Sequence, residues 1–351
     1  VKLVNIKPND KLLSILPLYH TYEATLGLVT PLMGGASVFY LNKPPTPAAL
    51  LPALKKVQPT VMLSVPLVIE KIYRNKVLAE INGKSITQKL YKIPLVRKKI
   101  NAVAGKKLAD TFGGKLRLFC IGGSALASDV EKFMIEAKFP YSMGYGLTET
   151  SPLVTGTDNF NVKYKSAGSI LNGMEIKIDN PDADTGEGEV LIKGPNVMKG
   201  YYKDPEKTNE VFTKDGWFRS GDLGVVDNAG YLFLKVRSKN VIIGSNGKNI
   251  YPEEVEAIIN EQPYVAESLV IDRDGKLEVR IHLNYELIES SFEIGKMTEA
   301  KVRKIIDKIL VDVFKNSNER LNSFSKLTKF VEQVEPFEKT PTQKIKRFLY
   351  S

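Results

Sequence analysis

From Lys11 to Gln58, short apolar runs (LLSILPL, ASVFYL) alternate with helix-length segments (TYEATLGLVTPLM, PAALLPALKKVQ), and TVMLSV starts the cycle again. Apolar runs of that length separated by helical crossovers predict parallel strands in an α/β sheet. A long polar helical region from Glu70 to Thr111 leads to KLRLFCIGGS, which reads as a buried strand ending in glycines, and then to a helix opened by Ser128. Ser128 and Glu131 have the spacing of a capping box, with Val130, Phe133, Met134 and Ala137 on the inner face. Ligands in such sheets lie at the carboxyl ends of the strands, where GGS falls. After Thr150 the texture changes to short strands and tight turns, MEIKID, GEVLIKG and a hairpin around Asn228, Ala229 and Gly230, which predict a β-rich subdomain. Near Arg237 it changes again. A helix with Pro252 in its first turn, a hairpin around Asp274 and Gly275, and an amphipathic helix over Met297 to Phe314 predict a small α+β domain.

Ser14 to Leu41 contains Glu23 as its only acid and no Lys or Arg, but Pro17, Pro31, Gly34 and Gly35 interrupt it. A spanning helix needs about 20 continuous apolar residues, so the segment reads as strand, helix and buried strand. At 351 residues and 43% apolar composition, the chain can bury a sizeable core and favours two domains over one. Its net charge of +10 suits an anionic partner. The single cysteine, Cys120, excludes an internal disulfide framework, and two histidines, His20 and His282, argue against a His-rich zinc centre. A metal, if used, would be a carboxylate-bound ion.

Two motif matches fail. NGKS at Asn82 to Ser85 lacks the upstream glycine of a phosphate loop, with Leu78 in its place, and GGSAL ends in Leu126 where a nucleophile elbow needs glycine. GYGLTETSP, Gly144 to Pro152, carries more chemistry: an aromatic ring, a hydroxyl and a carboxylate on one glycine-permitted loop. These can stack a base, contact phosphate and hold Mg2+, or they can be a glycine-rich strand exit. In GWFRSGDLG, Asp222 follows a glycine turn, as a ribose-binding carboxylate or a hairpin Asp.

The pieces LPLYHTYE, IGGSAL, GYGLTET, GEVLIKGPNVMKGYY, WFRSGDLG, VRSKNVIIGSNGKNIYPEEVE and KTPTQKIKR occur in the order found in the adenylate-forming superfamily. The chain resembles that superfamily nearly end to end, and within it the long-chain fatty acyl-CoA ligases. The resemblance implies a partial AMP-binding core over residues 1–238, β-rich from about 151, and a mobile lid domain over 239–351. It implies ATP-dependent activation of a fatty acid to acyl-AMP, then thioester formation with CoA, with Mg2+ as the metal.

On that resemblance, Gly122, Gly123 and Ser124 flank adenine and Tyr145 stacks on it beside Gly146. Thr148 contacts phosphate, Glu149 holds Mg2+, Asp222 and Arg237 hold the ribose, and His20 borders the acyl carboxylate. Lys239 is the hinge, Gly247 lies on the pantetheine tunnel, and Lys344 is the ammonium delivered to the α-phosphate. Lys339, Lys346 and Arg347 read as solvated charges or as steering groups for anionic substrates.

The chain departs from the family twice. No Ser/Thr/Gly-rich phosphate loop precedes LPLYHTYE, so the sequence reads as the later part of a longer enzyme, inactive alone. Gln343 stands where the family usually has glycine. The alternatives are an acyl-AMP ligase, a carrier-protein acyl synthetase, and a non-catalytic nucleotide-binding protein. A nucleic-acid partner is not expected, because the basic residues are dispersed and no reading motif accompanies them. The expected setting is cytoplasmic, with peripheral contact at the inner membrane surface allowed.

Overall fold

The computed structural model describes residues 4–42, 45–83, 85–158, 161–237, 240–243, 249–273, 275–340 and 344–350. Its contacts divide the chain into two units, Val1–Leu234 and Lys235–Ser351. The division falls four residues before the boundary read from sequence.

The first unit is built on a seven-stranded sheet of β1 (Lys11–Ser14), β2 (Ser37–Tyr40), β3 (Val61–Ser64), β4 (Leu118–Ile121), β5 (Tyr141–Gly146), β6 (Leu153–Gly156) and β7 (Ser169–Ile170), in the order β2-β1-β3-β4-β5-β6-β7. The first five pair in parallel, β6 adds antiparallel to β5, and β7 adds antiparallel to β6. All four residues of both β3 and β4 are buried, as expected for parallel strands covered on both faces. Helices Pro47–Val57, Pro66–Ile72 and Pro94–Thr111 each begin with proline, whose missing N–H costs nothing in a first turn. Leu54, Ile69, Phe112, Phe133 and Met134 fill the core against Met62 and Phe119.

Two sequence expectations change here. β2 is an edge strand with most of its residues exposed, not a buried one. Ser128 begins the helix Ser128–Glu136 but forms no capping box: the N-cap is Ala127, with no side-chain bond. Glu131 turns inward instead, accepting from Tyr141 Oη at 3.2 Å and Lys165 N at 3.0 Å.

Asp10 sets the register at the amino ends of three adjacent strands. It directly precedes β1, and its carboxylate accepts from Thr60 Oγ1 (2.7 Å) just before β3 and from Arg117 Nε (2.8 Å) just before β4. Burial opposes ionisation of Asp10, but the Arg117, Thr60 and Lys7 hydrogen bonds outweigh it and bring its carboxyl down to about 2. Anchoring the amino ends leaves the carboxyl ends to carry loops.

An antiparallel sheet of β8 (Glu175–Asp179), β9 (Gly188–Lys193), β10 (Phe218–Val226) and β11 (Leu232–Arg237) follows, in the order β11-β10-β9-β8. Its buried Val190, Ile192, Phe218 and Leu232 share a core with Tyr145 and Val154, so the β-rich part packs on the β5–β6 exit.

The second unit contains the short pair β12 (Ile242–Ile243) and β13 (Asn249–Ile250), then helix Pro252–Asn260. A hairpin of β14 (Val265–Arg273) and β15 (Lys276–Leu283) follows, and β16 (Lys329–Glu332) runs parallel to β15. The amphipathic helix expected over 297–314 is Glu299–Arg320, with Ile309, Leu310 and Val313 buried against Val255, Ile259 and Val279.

Replacing Asp10 by Ala leaves the half-buried Arg117 guanidinium without its carboxylate and loosens three strand starts. It should lower the unfolding free energy of the first unit by about 3 kcal/mol, read from urea unfolding.

Candidate active site

The β5 exit is shaped by one close approach. A Cβ on Gly146 would lie 1.7 Å from the Pro152 carbonyl oxygen, so no other residue fits there without moving the turn. The turn is closed by Leu147 N donating to Pro152 O at 3.0 Å and to Thr150 Oγ1 at 2.9 Å, while Thr150 Oγ1 donates to Pro152 O at 2.5 Å. With Thr150 fully buried as the lock, Thr148 is exposed and Glu149 half-buried.

Glu149 is gripped twice by the segment after β9. Its carbonyl accepts from Met198 N at 2.7 Å, and its Oε1 accepts from Tyr201 Oη at 3.0 Å. Among the described residues no three His, Cys, Asp or Glu side chains gather as a metal cluster. One oriented carboxylate fits Mg2+, which takes few protein ligands and keeps waters or phosphate oxygens for the rest.

Tyr145 and Asp222, 77 residues apart in sequence, meet directly: Tyr145 Oη donates to Asp222 Oδ2 at 2.7 Å. Both are buried, at 8% and 9% exposure. Asp222 is aimed by a bulge in β10 between Arg219 and Leu223, where Gly221 takes φ +70°, and its backbone N–H donates to Ser220 Oγ at 3.0 Å. What the geometry displays is a donor fixing Asp222.

At the neighbouring strand end, Gly122 N donates to Ser64 O at 3.2 Å, Gly123 adopts φ +94°, and Gly123 and Ser124 are exposed. A Cβ on Gly122 would come within 3.3 Å of the Tyr22 ring, whose hydroxyl donates to Cys120 O at 3.1 Å. Half-exposed His20 stands just before the helical residues that begin at Thr21, its Nδ1 accepting from Tyr22 N at 3.2 Å.

Glu23 stands out in sequence only as the single acid between Ser14 and Leu41. It is 1% exposed and opens a π-helical stretch, Glu23–Val29, a geometry that recurs at functional sites. Its Oε1 accepts from Ser14 Oγ at 2.6 Å, and its buried Oε2 has no hydrogen-bond partner among the described residues. Gly27 makes room for it, since a Cβ there would lie 2.5 Å from the carboxyl. Burial, against the Ser14 bond, pushes the Glu23 carboxyl up to about 7.

In the second unit, exposed Lys344 is paired with Thr340 through the backbone. Thr340 N donates to Lys344 O at 2.8 Å, and Lys344 N donates to Thr340 Oγ1 at 3.1 Å. Arg347 and Lys339, read from sequence as solvated or steering charges, are anchors. Arg347 reaches Glu256 at 2.5 Å and Glu253 at 3.4 Å, and Lys339 reaches Glu267 at 2.5 Å with both side chains only 15% exposed. Arg237 ends β11 in the second unit, so the geometry of the first unit does not include it. Lys239, Gly247 and Gln343 lie outside the described residues.

The AMP-binding enzyme family matches residues 2–202. The chain belongs to that family. As an AMP-binding enzyme chain it is 32% identical to Long-chain-fatty-acid--CoA ligase 4 of Saccharomyces cerevisiae over 78% of its length and 42% of the ligase. It is 30% identical to Probable 4-coumarate--CoA ligase 3 of Dictyostelium discoideum over 76% of its length and 44% of that protein. The chain therefore spans less than half of these relatives. ATP-bound MatB from Rhodopseudomonas palustris shares the fold, with a TM-score of 0.73 at 23% identity over 99% of this chain and 61% of that one.

The raised Glu23 carboxyl makes stability depend on pH. In the unfolded chain it ionises near 4.5, but in the fold near 7. The folded state thus holds a proton that the unfolded state has lost, and the contribution is full below about 4.5 and lost as pH rises through 7. Relative to Glu23→Gln, the parent chain should lose about 2–3 kcal/mol of stability between pH 4.5 and 8, read by urea unfolding across that range. Parallel profiles would contradict a buried carboxyl raised by desolvation.

Proposed function

We propose that this chain is the later part of an ATP-dependent, AMP-forming acyl-CoA synthetase that activates a fatty acid. The observation that carries the reading is the convergence of the Tyr145–Asp222 pair and the Thr148–Glu149 turn on the β5 exit, beside the glycines after β4. Buried Asp222, held by a charge-assisted hydrogen bond, presents carboxylate to a ribose diol. Gly122, Gly123 and Ser124 border the base, and Thr148 meets phosphate. Glu149 would hold Mg2+, which would supply charge neutralisation on the phosphates. His20, in the turn that follows β1, borders the acyl carboxylate.

In the first step a carboxylate oxygen bonds to the α-phosphorus while the bond to the pyrophosphate oxygen breaks. Negative charge accumulates on the phosphoryl oxygens, where the Lys344 ammonium is most useful. In the second step the CoA sulfur bonds to the acyl carbon with loss of the thiol proton, and AMP leaves. Lys239 as hinge, Gly247 on the pantetheine path and Arg237 on the ribose complete this reading, with a second domain that moves as a lid between steps.

A fatty acid is favoured by the long-chain ligases among the relatives; the 4-coumarate ligase at similar identity makes an aromatic acid the second reading. The 351-residue chain alone is expected to turn over little, and a longer reading frame carrying a phosphate loop to be active. In that frame, fatty-acid-dependent AMP release that rises with CoA supports the ligase. Release of acyl-AMP indifferent to CoA would move the assignment to an acyl-AMP or carrier-protein enzyme, and no release to a non-catalytic protein. Lys344→Ala should cut ATP–pyrophosphate exchange by about a hundredfold or more, with thioester formation from preformed acyl-AMP largely intact. Equal loss in both half-reactions would remove Lys344 from that role.

A further inference from the structure

Between Glu80 and Asp110 the chain carries eight Lys or Arg and no acid. This stretch folds as helices Ser85–Tyr91 and Pro94–Thr111. The longer helix buries Asn101, Gly105 and Leu108, with Gly105 placed so that a Cβ would meet Ala137 at 2.6 Å. Arg97 belongs to this inner side, paired with Glu136 at 2.7 Å.

The opposite side is unlike an ordinary solvated helix face. Leu95 is 76% exposed and Val103 62%, and Lys99 lies between them at helical spacing. The shorter helix and the turn after it add Ile86 (73%), Leu90 (41%) and Ile93 (49%). Lys89, Lys92, Lys98 and Lys106 are exposed among these apolar side chains.

We propose that this helical pair is a docking surface for an anionic lipid bilayer. Lysines flanking exposed aliphatic side chains on a helix that no apolar run makes membrane-spanning are what an interfacial helix needs: stems and aliphatic groups enter the acyl boundary while the ammonium groups stay at headgroup level. A nucleic-acid surface would use the lysines but gains nothing from Leu95, Val103 and Ile86. A protein partner would have to bury several ammonium groups, which is costly without matching acids. The proposal stands apart from the ligase reading, because none of these residues belongs to the candidate active site.

The test is co-sedimentation of the 351-residue chain with phosphatidylcholine vesicles and with 3:1 phosphatidylcholine:phosphatidylglycerol vesicles at 0.1 M salt, with a short RNA duplex as a separate ligand. The parent should bind the anionic vesicles at least tenfold more tightly than the neutral ones. Leu95→Ser with Val103→Ser, and separately Lys98→Glu with Lys99→Glu, should each weaken that binding at least tenfold. All four positions are solvent-facing, so the thermal midpoint should stay unchanged; if one pair unfolds, Ile86→Ser reads the apolar contribution in its place. Equal binding to both vesicles, vesicle binding indifferent to the apolar substitutions, or RNA binding that survives those substitutions without any vesicle binding would overturn the proposal.

Discussion

The hydrogen bond from Tyr145 to Asp222 is the contact on which the candidate site depends. Tyr145 leaves the α/β sheet at the end of β5, and Asp222 sits on a bulge of the β-rich sheet, so one bond ties two layers that the sequence separates by 77 residues. The close approach of Gly146 to Pro152 fixes where the tyrosine stands. The same turn, locked by Thr150, sends Thr148 outward and leaves Glu149 to be held by Met198 and Tyr201. Ribose, phosphate and metal candidates are thereby referenced to one backbone feature.

A second constraint is desolvation at the carboxyl end of β1. Glu23 is enclosed with a single donor among the described residues, Ser14, in a π-helical stretch where Gly27 leaves room for it. A group so placed costs free energy when ionised, and it adjoins the helix start that positions His20 and Tyr22. In the second unit the logic is reversed: Arg347 is set against Glu256 and Glu253, three residues beyond the Lys344 that bonds Thr340.

Much of the parallel sheet was legible because fully buried strands such as VMLS and LFCI leave uninterrupted apolar runs, and the hairpins because Gly230 and Gly275 take positive φ in tight turns. The loop residues Gly144 to Glu149 and Asp222 were legible as types with suitable chemistry. Their meeting was not, because no local pattern encodes a contact between distant strands. Tyr201, Thr150 and Arg347 were missed for the same reason: their partners lie across turns or on other elements. Glu131 was misread as a cap because the capping-box spacing says nothing of which way a carboxylate turns once Tyr141 and Lys165 compete for it. The exposed edge position of β2 follows from strand order, which an apolar run such as ASVFYL does not contain.

The most direct test of the central contact is a double-mutant cycle on the unfolding free energy of the chain, using Tyr145→Phe, Asp222→Ala and the pair. A buried, charge-assisted hydrogen bond predicts a coupling of about 1.5–3 kcal/mol between the two sites. Additive losses, with coupling near zero, would contradict it.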